Sequence, residues 1–266
     1  FVPAVLQFFL MVPSAGIDLS SMEWIVYGAS PITQDVLVKS MEQFNCGYLQ
    51  VYGLTETTGG VTQLDFEDHD PGGPREHLLR SAGKVIRGVE LRIVDPDTGE
   101  DMPDGQVGEV WIRSAQVMKG YWNQPEATAE SIDEDGWFRS GDAGYLEDGF
   151  LFIHDRVKDM IVSGGENVYP AEVENALMSH DGVADVAVIG VPDERWGEAG
   201  KALVLPVPDS GVTAEDILAH ARERLAGFKC PKTVDFIEEI PRNPTGKILK
   251  RILREPYWEG HDRRVG

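Results

Sequence analysis

The run from Met22 to Tyr52 constrains the fold more than any other stretch. Met22 to Val26 is a short apolar segment that ends in a tight turn at Tyr27-Gly28-Ala29-Ser30-Pro31-Ile32. Val36 to Phe44 carries helical spacing, and Gly47-Tyr48-Leu49-Gln50-Val51-Tyr52 is a second strand. Strand, helix, strand at this length predicts a βαβ unit in a mostly parallel sheet. Ligands of such sheets sit beyond the carboxyl ends of the strands. Gly28-Ala29-Ser30-Pro31 and Tyr52-Gly53-Leu54-Thr55-Glu56 both fall at such ends, so a site is expected there.

Residues 81–156 change character. Turn signals recur at Pro96-Asp97-Thr98-Gly99, Pro103-Asp104-Gly105, Glu134-Asp135-Gly136 and Glu147-Asp148-Gly149. Val89 to Val94 and Gly108 to Arg113 alternate with period two. This predicts an all-β subdomain, a small distorted barrel.

Next comes Asp155-Arg156-Val157-Lys158-Asp159, a charged run that reads as a hinge or crossover, followed by apolar Met160-Ile161-Val162 and Ser163-Gly164-Gly165. The glycines allow positive φ or close backbone approach. Pro170 suits the first turn of a helix over Ala171 to His180. Strands over Val183 to Ile189, Ala202 to Pro206 and Val234 to Ile240 are expected, with a helix after the capping-box-like Thr213-Ala214-Glu215-Asp216. Together these describe an α+β domain of about a hundred residues, large enough to fold alone.

The fold expected is therefore α/β plus a β-barrel subdomain, with a small α+β C-terminal domain. The first body would cover residues 1–157 (a βαβ part over about 1–80 and a barrel part over about 81–157) and the second residues 158–266.

Charge and cysteine usage exclude some functions. Forty-five acidic against 24 basic residues give a net charge of −21, which argues against a nucleic-acid surface. Val5 to Val12 is apolar but too short to span a bilayer, so no integral membrane segment is expected. Cys46 and Cys230 lie in no paired motif, which fits buried thiols in a reducing, cytoplasmic compartment. His69 and His77 sit in a polar loop without metal-ligand spacing and are read as solvated, and His154 as packed rather than catalytic.

Taken singly, the polar motifs are ambiguous. Thr55 offers a hydroxyl and Glu56 a hard oxygen ligand, a pairing suited to a phosphate with its Mg²⁺, or else a polar strand exit. Asp142, after Ser140-Gly141, suits a vicinal diol or forms an Asx turn. Arg156 would add donors to the same sugar or form a surface ion pair. Lys247 stands in an exposed loop, Pro241-Arg242-Asn243-Pro244-Thr245-Gly246-Lys247, where a lone lysine is commonly just solubilising.

Three stretches in one chain change the odds. Tyr52-Gly53-Leu54-Thr55-Glu56-Thr57-Thr58-Gly59, the run Asp155 to Pro170, and Pro244-Thr245-Gly246-Lys247-Ile248 together resemble the adenylate-forming superfamily, specifically acyl-CoA synthetases of the fatty-acid–CoA ligase type. Gly120-Tyr121-Trp122, Ser140-Gly141-Asp142 and Asp155-Arg156-Val157-Lys158-Asp159 follow the family in order and separation.

The resemblance implies ATP/AMP, Mg²⁺ and coenzyme A as cofactors. Tyr52 would stack on adenine, Thr55 contact the α-phosphate and Glu56 hold Mg²⁺. Gly28, Ala29, Ser30 and Pro31 would flank the base, Gln50 would reach its edge, and Gly53 belongs to the same motif. Asp142 and Arg156 would bind ribose, and Lys158 would be the hinge between the domains. Ser163, Gly164 and Gly165 would line the pantetheine tunnel, and Lys247 would bind both the substrate carboxylate and the α-phosphate. At about 4 Å and an effective dielectric near 20, each such contact is worth on the order of 4 kcal/mol before desolvation.

The implied partners are a carboxylic acid, by resemblance a fatty acid, with ATP and CoA; a homo-oligomer is compatible with this. The family's upstream Ser/Thr/Gly-rich phosphate loop has no counterpart here, so the chain is expected to be the later portion of the enzyme and weak or inactive by itself. An adenylation domain loading a carrier protein, a luciferase-like monooxygenase and a non-catalytic nucleotide-binding module stay open as alternatives.

Overall fold

The computed structural model describes residues 1–12, 17–30, 32–96, 98–243 and 247–259. The chain forms two compact units, Phe1–Ile153 and His154–Gly266.

In the first unit, helix α1 (Pro3–Met11) is followed by β1 (Trp24–Gly28), α2 (Gln34–Phe44) and β2 (Gly47–Leu54). Strands β1 and β2 run parallel, Trp24 opposite Gly47 and Gly28 opposite Val51, which is the expected βαβ unit. Helix α2 starts where Thr33 caps it, its hydroxyl accepting from the Val36 amide at 3.4 Å. It ends at Asn45, whose φ of 46° is a conformation asparagine tolerates. Leu37, Ser40 and Phe44 form its buried stripe. Leu37 and Phe44 join Leu6, Ile25, Tyr27 and Tyr48 in one apolar cluster.

The strands that follow are β3 (Gly59–Leu64), β4 (Gly83–Val85), β5 (Val89–Val94) and β6 (Gly108–Ser114). Helix α3 (Pro125–Ser131), β7 (Phe138–Glu147) and β8 (Phe150–Arg156) complete the set. The sheet order is β1-β2-β3-β4-β8-β7-β6-β5, and the pairings β2–β3, β3–β4, β4–β8, β5–β6 and β6–β7 are antiparallel, so the mostly parallel sheet expected around the βαβ unit is not what forms. The expected barrel is therefore not closed: the β-rich segment continues the βαβ sheet, with β1 and β5 at its two ends. Period-two alternation specifies which face of a strand is buried and carries no information on closure. Asp148 and Gly149 both have positive φ (50° and 78°), the two-residue turn that suits the β7–β8 hairpin. Val61, Val110, Ile112, Phe138 and Leu151 make the core of this region.

In the second unit, β9 (Ile161–Ser163) turns at Gly164-Gly165 into β10 (Glu166–Val168), and α4 (Pro170–Met178) follows. Strand β11 (Val183–Asp193) pairs antiparallel with β12 (Gly197–Pro206) from Val183 opposite Pro206 to Asp193 opposite Gly197. Helix α5 (Ala214–Arg224) is capped reciprocally by Thr213 and Asp216 as expected, β13 (Thr233–Phe236) lies parallel to β12, and α6 (Lys250–Arg254) is followed by a 3₁₀ turn over Glu255–Tyr257. Val173, Leu177, Val186, Val188, Ile217 and Ala221 form the main core.

Three further expectations change. His69 is buried rather than solvated: its Nε2 lies 2.9 Å from the Tyr27 hydroxyl and its Nδ1 2.8 Å from the Asp65 carbonyl oxygen. Burial lowers its pKa. Its loop is polar in sequence, yet the loop folds so that the imidazole can satisfy a buried phenol. Cys46 is half-buried, while Cys230 is buried. The last strand stops at Phe236 rather than Ile240. Among the described residues no helix is long and apolar enough to cross a membrane.

Candidate active site

The carboxyl ends of β1 and β2 lie side by side. A Cβ on Gly28 would sit 2.1 Å from the Val51 carbonyl oxygen, so only glycine permits this pairing. Ala29 has a φ of 69°, turning the chain sharply off the strand. Ser30 follows; Pro31 lies outside the described residues. On the neighbouring strand the Gln50 Oε1 is buried with no hydrogen-bond partner among the described residues.

Beyond β2 the chain turns at Thr55–Thr57. Thr57 is fully buried, and its hydroxyl accepts from the Leu54 amide at 2.9 Å and lies 2.8 Å from the Gly59 carbonyl oxygen. Gly53 faces the same carbonyl, which an added Cβ would meet at 2.0 Å. This internal bonding leaves the Thr55 side chain exposed and Glu56 half-buried.

A second segment is stapled to the turn. Met118 N–H donates to the Glu56 carbonyl at 2.7 Å, and the Thr58 hydroxyl donates to the Gln116 carbonyl at 2.7 Å. The Tyr121 hydroxyl donates to Glu56 Oε1 at 2.9 Å. Tyr121 stood in a motif noticed in the sequence, yet nothing local assigns it to Glu56, 65 positions away.

Asp142 approaches from β7. The Tyr52 hydroxyl donates to its Oδ2 at 2.8 Å, and Asp142 is only 8% exposed. The turn before it is held by Glu109, whose Oε1 accepts from Gly141 N–H at 2.9 Å while its Oε2 accepts from Trp111 Nε1 at 2.8 Å. Glu109 carries no motif and sequence reasoning missed it; only the strand pairing brings it to the turn. The first unit thus places Gly28, Gln50, Tyr52, Gly53 and Asp142 on one sheet, with Ala29, Ser30, Thr55 and Glu56 in the turns that follow β1 and β2. Tyr52–Asp142 and Glu56–Tyr121 are in direct hydrogen-bond contact.

The remaining candidates belong to the second unit. Arg156 ends β8, and Lys158 lies exposed in a short 3₁₀ turn, Val157–Asp159. Arg254 Nη1 donates to the Lys158 carbonyl at 3.2 Å. His154 is packed against Tyr169, ring centres 4.8 Å apart. Ser163 is buried, and Gly164 and Gly165 have φ of 64° and 89°. Gly164 N–H donates to the Trp196 carbonyl at 2.9 Å, and a Cβ at Gly164 would meet the Trp196 ring at 2.6 Å. The glycine turn borders an open cleft of about 980 Å³, lined also by Trp196, Lys201, Tyr257 and Trp258. Lys247 is exposed; Pro244, Thr245 and Gly246 of its motif lie outside the described residues. Its backbone is fastened to Asn243 at both ends: Lys247 N–H donates to Asn243 Oδ1 and Asn243 N–H to the Lys247 carbonyl, each at 2.9 Å.

Residues 1–122 match the AMP-binding enzyme family and residues 172–247 match the AMP-binding enzyme C-terminal domain. The chain is 44% identical to the fatty acid–[acyl-carrier-protein] ligase ScoC of Streptomyces coeruleorubidus, over 99% of this chain and 50% of that protein. It is 45% identical to the long-chain-fatty-acid–CoA ligase FadD13 of Mycobacterium tuberculosis, over 96% of this chain and 49% of that protein. Among solved structures it is similar to ATP-bound MatB from Rhodopseudomonas palustris (TM-score 0.86, 32% identity, 98% of this chain and 51% of that one). It is also similar to the o-succinylbenzoate CoA synthetase MenE of Bacillus subtilis in complex with its acyl-adenylate (TM-score 0.83, 32% identity, 100% of this chain and 51% of that one). The chain spans about half the length of the curated relatives it matches. With both family regions matched in order, and the βαβ unit and small α+β unit in place, the chain belongs to the adenylate-forming, AMP-binding superfamily.

Proposed function

We propose that this chain carries the nucleotide-binding and catalytic-lysine portions of an AMP-forming acid–thiol ligase, which activates a fatty acid with ATP and passes the acyl group to a thiol. The juxtaposition of Tyr52 and Asp142 carries the reading. A buried carboxylate held by a phenol near the carboxyl end of β2 suits a ribose diol, and the tyrosine ring is assigned to the base. Gln50 Oε1, a buried acceptor without a partner among the described residues, suits an exocyclic amine at the base edge. Arg156 is assigned to the same sugar, and Lys158 to the hinge.

Mg²⁺ fits as a guest of the substrate. Among the described residues no cluster of three or more His, Cys, Asp or Glu could hold a metal by itself. Mg²⁺ is commonly held by one or two carboxylates with substrate phosphates and water. Glu56, oriented by Tyr121, supplies such a carboxylate. When bound there the ion neutralises phosphate charge.

In the first step a substrate carboxylate oxygen bonds to the α-phosphorus of ATP, and the bond to the bridging oxygen of pyrophosphate breaks. Thr55 is assigned to the α-phosphate. Lys247 is assigned to the space between carboxylate and phosphate, where its charge offsets the repulsion of two anions as they approach. In the second step the thiol sulfur bonds to the acyl carbon, the thiol proton is lost, and AMP leaves with the mixed-anhydride oxygen. Ser163, Gly164 and Gly165 are assigned to the pantetheine arm, since glycine backbone allows close approach.

The acceptor has two readings. Free coenzyme A matches FadD13, named as a CoA ligase, and a carrier-bound pantetheine matches ScoC, named as a carrier-protein ligase. Thioester formation with each acceptor, at equal pantetheine concentration, separates them. Calorimetric titration of this chain and its Asp142→Ala variant with a non-hydrolysable acyl-adenylate analogue tests the site. Binding lost in the variant supports the assignment; binding retained unchanged removes Asp142 from it.

A further inference from the structure

Lys250 lies in the run Leu249-Lys250-Arg251-Ile252-Leu253-Arg254 and is only 9% exposed. Its Nζ donates to Asp155 Oδ2 at 2.9 Å and lies 3.1 and 3.3 Å from the two oxygens of Glu174. Burial works against its charge, but the two carboxylates outweigh that and raise its pKa above the usual lysine range. Burial raises the pKa of Glu174, which also accepts from the Val188 amide at 2.7 Å.

The three residues come from segments with separate duties. Asp155 immediately precedes Arg156 and lies three residues before Lys158. Its Oδ2 also accepts from Ala171 N–H at 3.1 Å, at the N-terminal turn of α4, so it caps that helix from outside. Lys250 opens α6, three residues after Lys247. The segment between them is tied back by Leu249 N–H donating to the Pro241 carbonyl at 2.8 Å and by the Arg242–Ile248 bridge. Little slack separates the buried ammonium from Lys247.

We propose that Lys250 is a positioning residue that couples the Lys247 segment to the Asp155–Lys158 segment through the shared Asp155–Lys250–Glu174 cluster. A cluster of this kind is poorly explained as a source of stability, because desolvation offsets much of its attraction; it specifies where its members sit. Any torsional change at Lys158 that carries Asp155 with it must break the bonds to Lys250 and Ala171. Glu174 then keeps the ammonium paired. Asp155 is the releasable arm of the cluster and Glu174 the permanent one.

The test is residue-specific amide exchange on the full 266-residue chain, comparing Lys250→Met, Lys250→Arg and Asp155→Asn. In Lys250→Met the Leu249 and Ala171 amides are expected to exchange at least tenfold faster, with Ile217 in α5 changed less than twofold. Lys250→Arg should bring Leu249 back to within threefold. Should Lys250→Met fail to fold, Asp155→Asn carries the test and should speed Leu249 at least threefold. Unchanged Leu249 exchange in either variant, or an equal rise at Ile217, overturns the coupling.

The functional consequence rests on the proposed ligase reading. In the whole enzyme, Lys250→Met should lower acid-dependent ATP–pyrophosphate exchange at least tenfold, chiefly in kcat. Thiol transfer from supplied acyl-adenylate should stay within twofold. Equal loss in both half-reactions overturns a positioning role. An unsubstituted enzyme lacking both reactions removes the ligase reading, and amide exchange still decides the coupling.

Discussion

The hydroxyl of Tyr52 reaches Asp142 across ninety residues of sequence and donates to its Oδ2 at 2.8 Å. The bond joins the end of a parallel strand to the strand that the sheet order sets three places beyond β3. Two side chains assigned to different parts of a nucleotide therefore act on one another. Tyr52→Phe should weaken binding of an acyl-adenylate analogue by roughly two- to tenfold, the range for one hydrogen bond. Asp142→Ala should weaken it further, because it removes the carboxylate proposed to accept from the diol. Calorimetric titration of both variants checks the order.

Glu56 is held by Tyr121 at 2.9 Å. Tyr121→Phe lets the carboxylate rotate, and the Mg²⁺ concentration for half-maximal adenylation should rise by up to about tenfold. Glu56→Gln should abolish the response. A Mg²⁺ titration of ATP–pyrophosphate exchange in the whole enzyme reads both.

Lys247 is exposed, so Lys247→Ala should leave the melting temperature unchanged. Acid activation should fall by roughly 10²–10³-fold, the equivalent of about 3–4 kcal/mol. Thermal unfolding and ATP–pyrophosphate exchange, measured side by side, separate a chemical role from a structural one.

Gly28→Ala drives a methyl group to 2.1 Å from the Val51 carbonyl oxygen, where both partners are backbone. The strands must part, and the first unit should lose about 1–3 kcal/mol. Gly105→Ala keeps the chain at a positive φ of 79° but meets open space, so its loss should be smaller, about 1 kcal/mol. Denaturant midpoints of the two variants check the ranking.

Buried His69 has a pKa below its ordinary value of 6.5. The unfolded chain binds a proton near 6.5 while the folded chain resists it. The contribution of His69 is thus fully present above that pH and is lost as pH falls from about 6.5 toward the folded pKa. His154 and His220 shift the same way, through burial first. The chain should lose stability between about pH 7 and 5, and His69→Gln should flatten part of that slope. Melting temperatures across the interval measure it.

The sequence by itself determined several of the elements and their classes. The run Met22–Tyr52 specifies β1, α2 and β2 because helical and strand periodicities are local properties. Gly164-Gly165 and Pro170 mark the β9–β10 turn and the start of α4 because positive φ and a fixed φ are residue properties. The motif order also pointed to the superfamily.

Only the tertiary structure decided the rest. It left the sheet open where a barrel was expected, because closure depends on which strands meet. It buried His69, which was read as solvated, and Lys250, which carried no sequence reading, because burial depends on what the fold lays over a side chain. It also joined Tyr121 to Glu56, and Glu109 to the Asp142 turn, as pairs remote in sequence. Periodicity reports which way a side chain points relative to its own strand or helix. The partner it meets is set by strand order, and no local pattern encodes that.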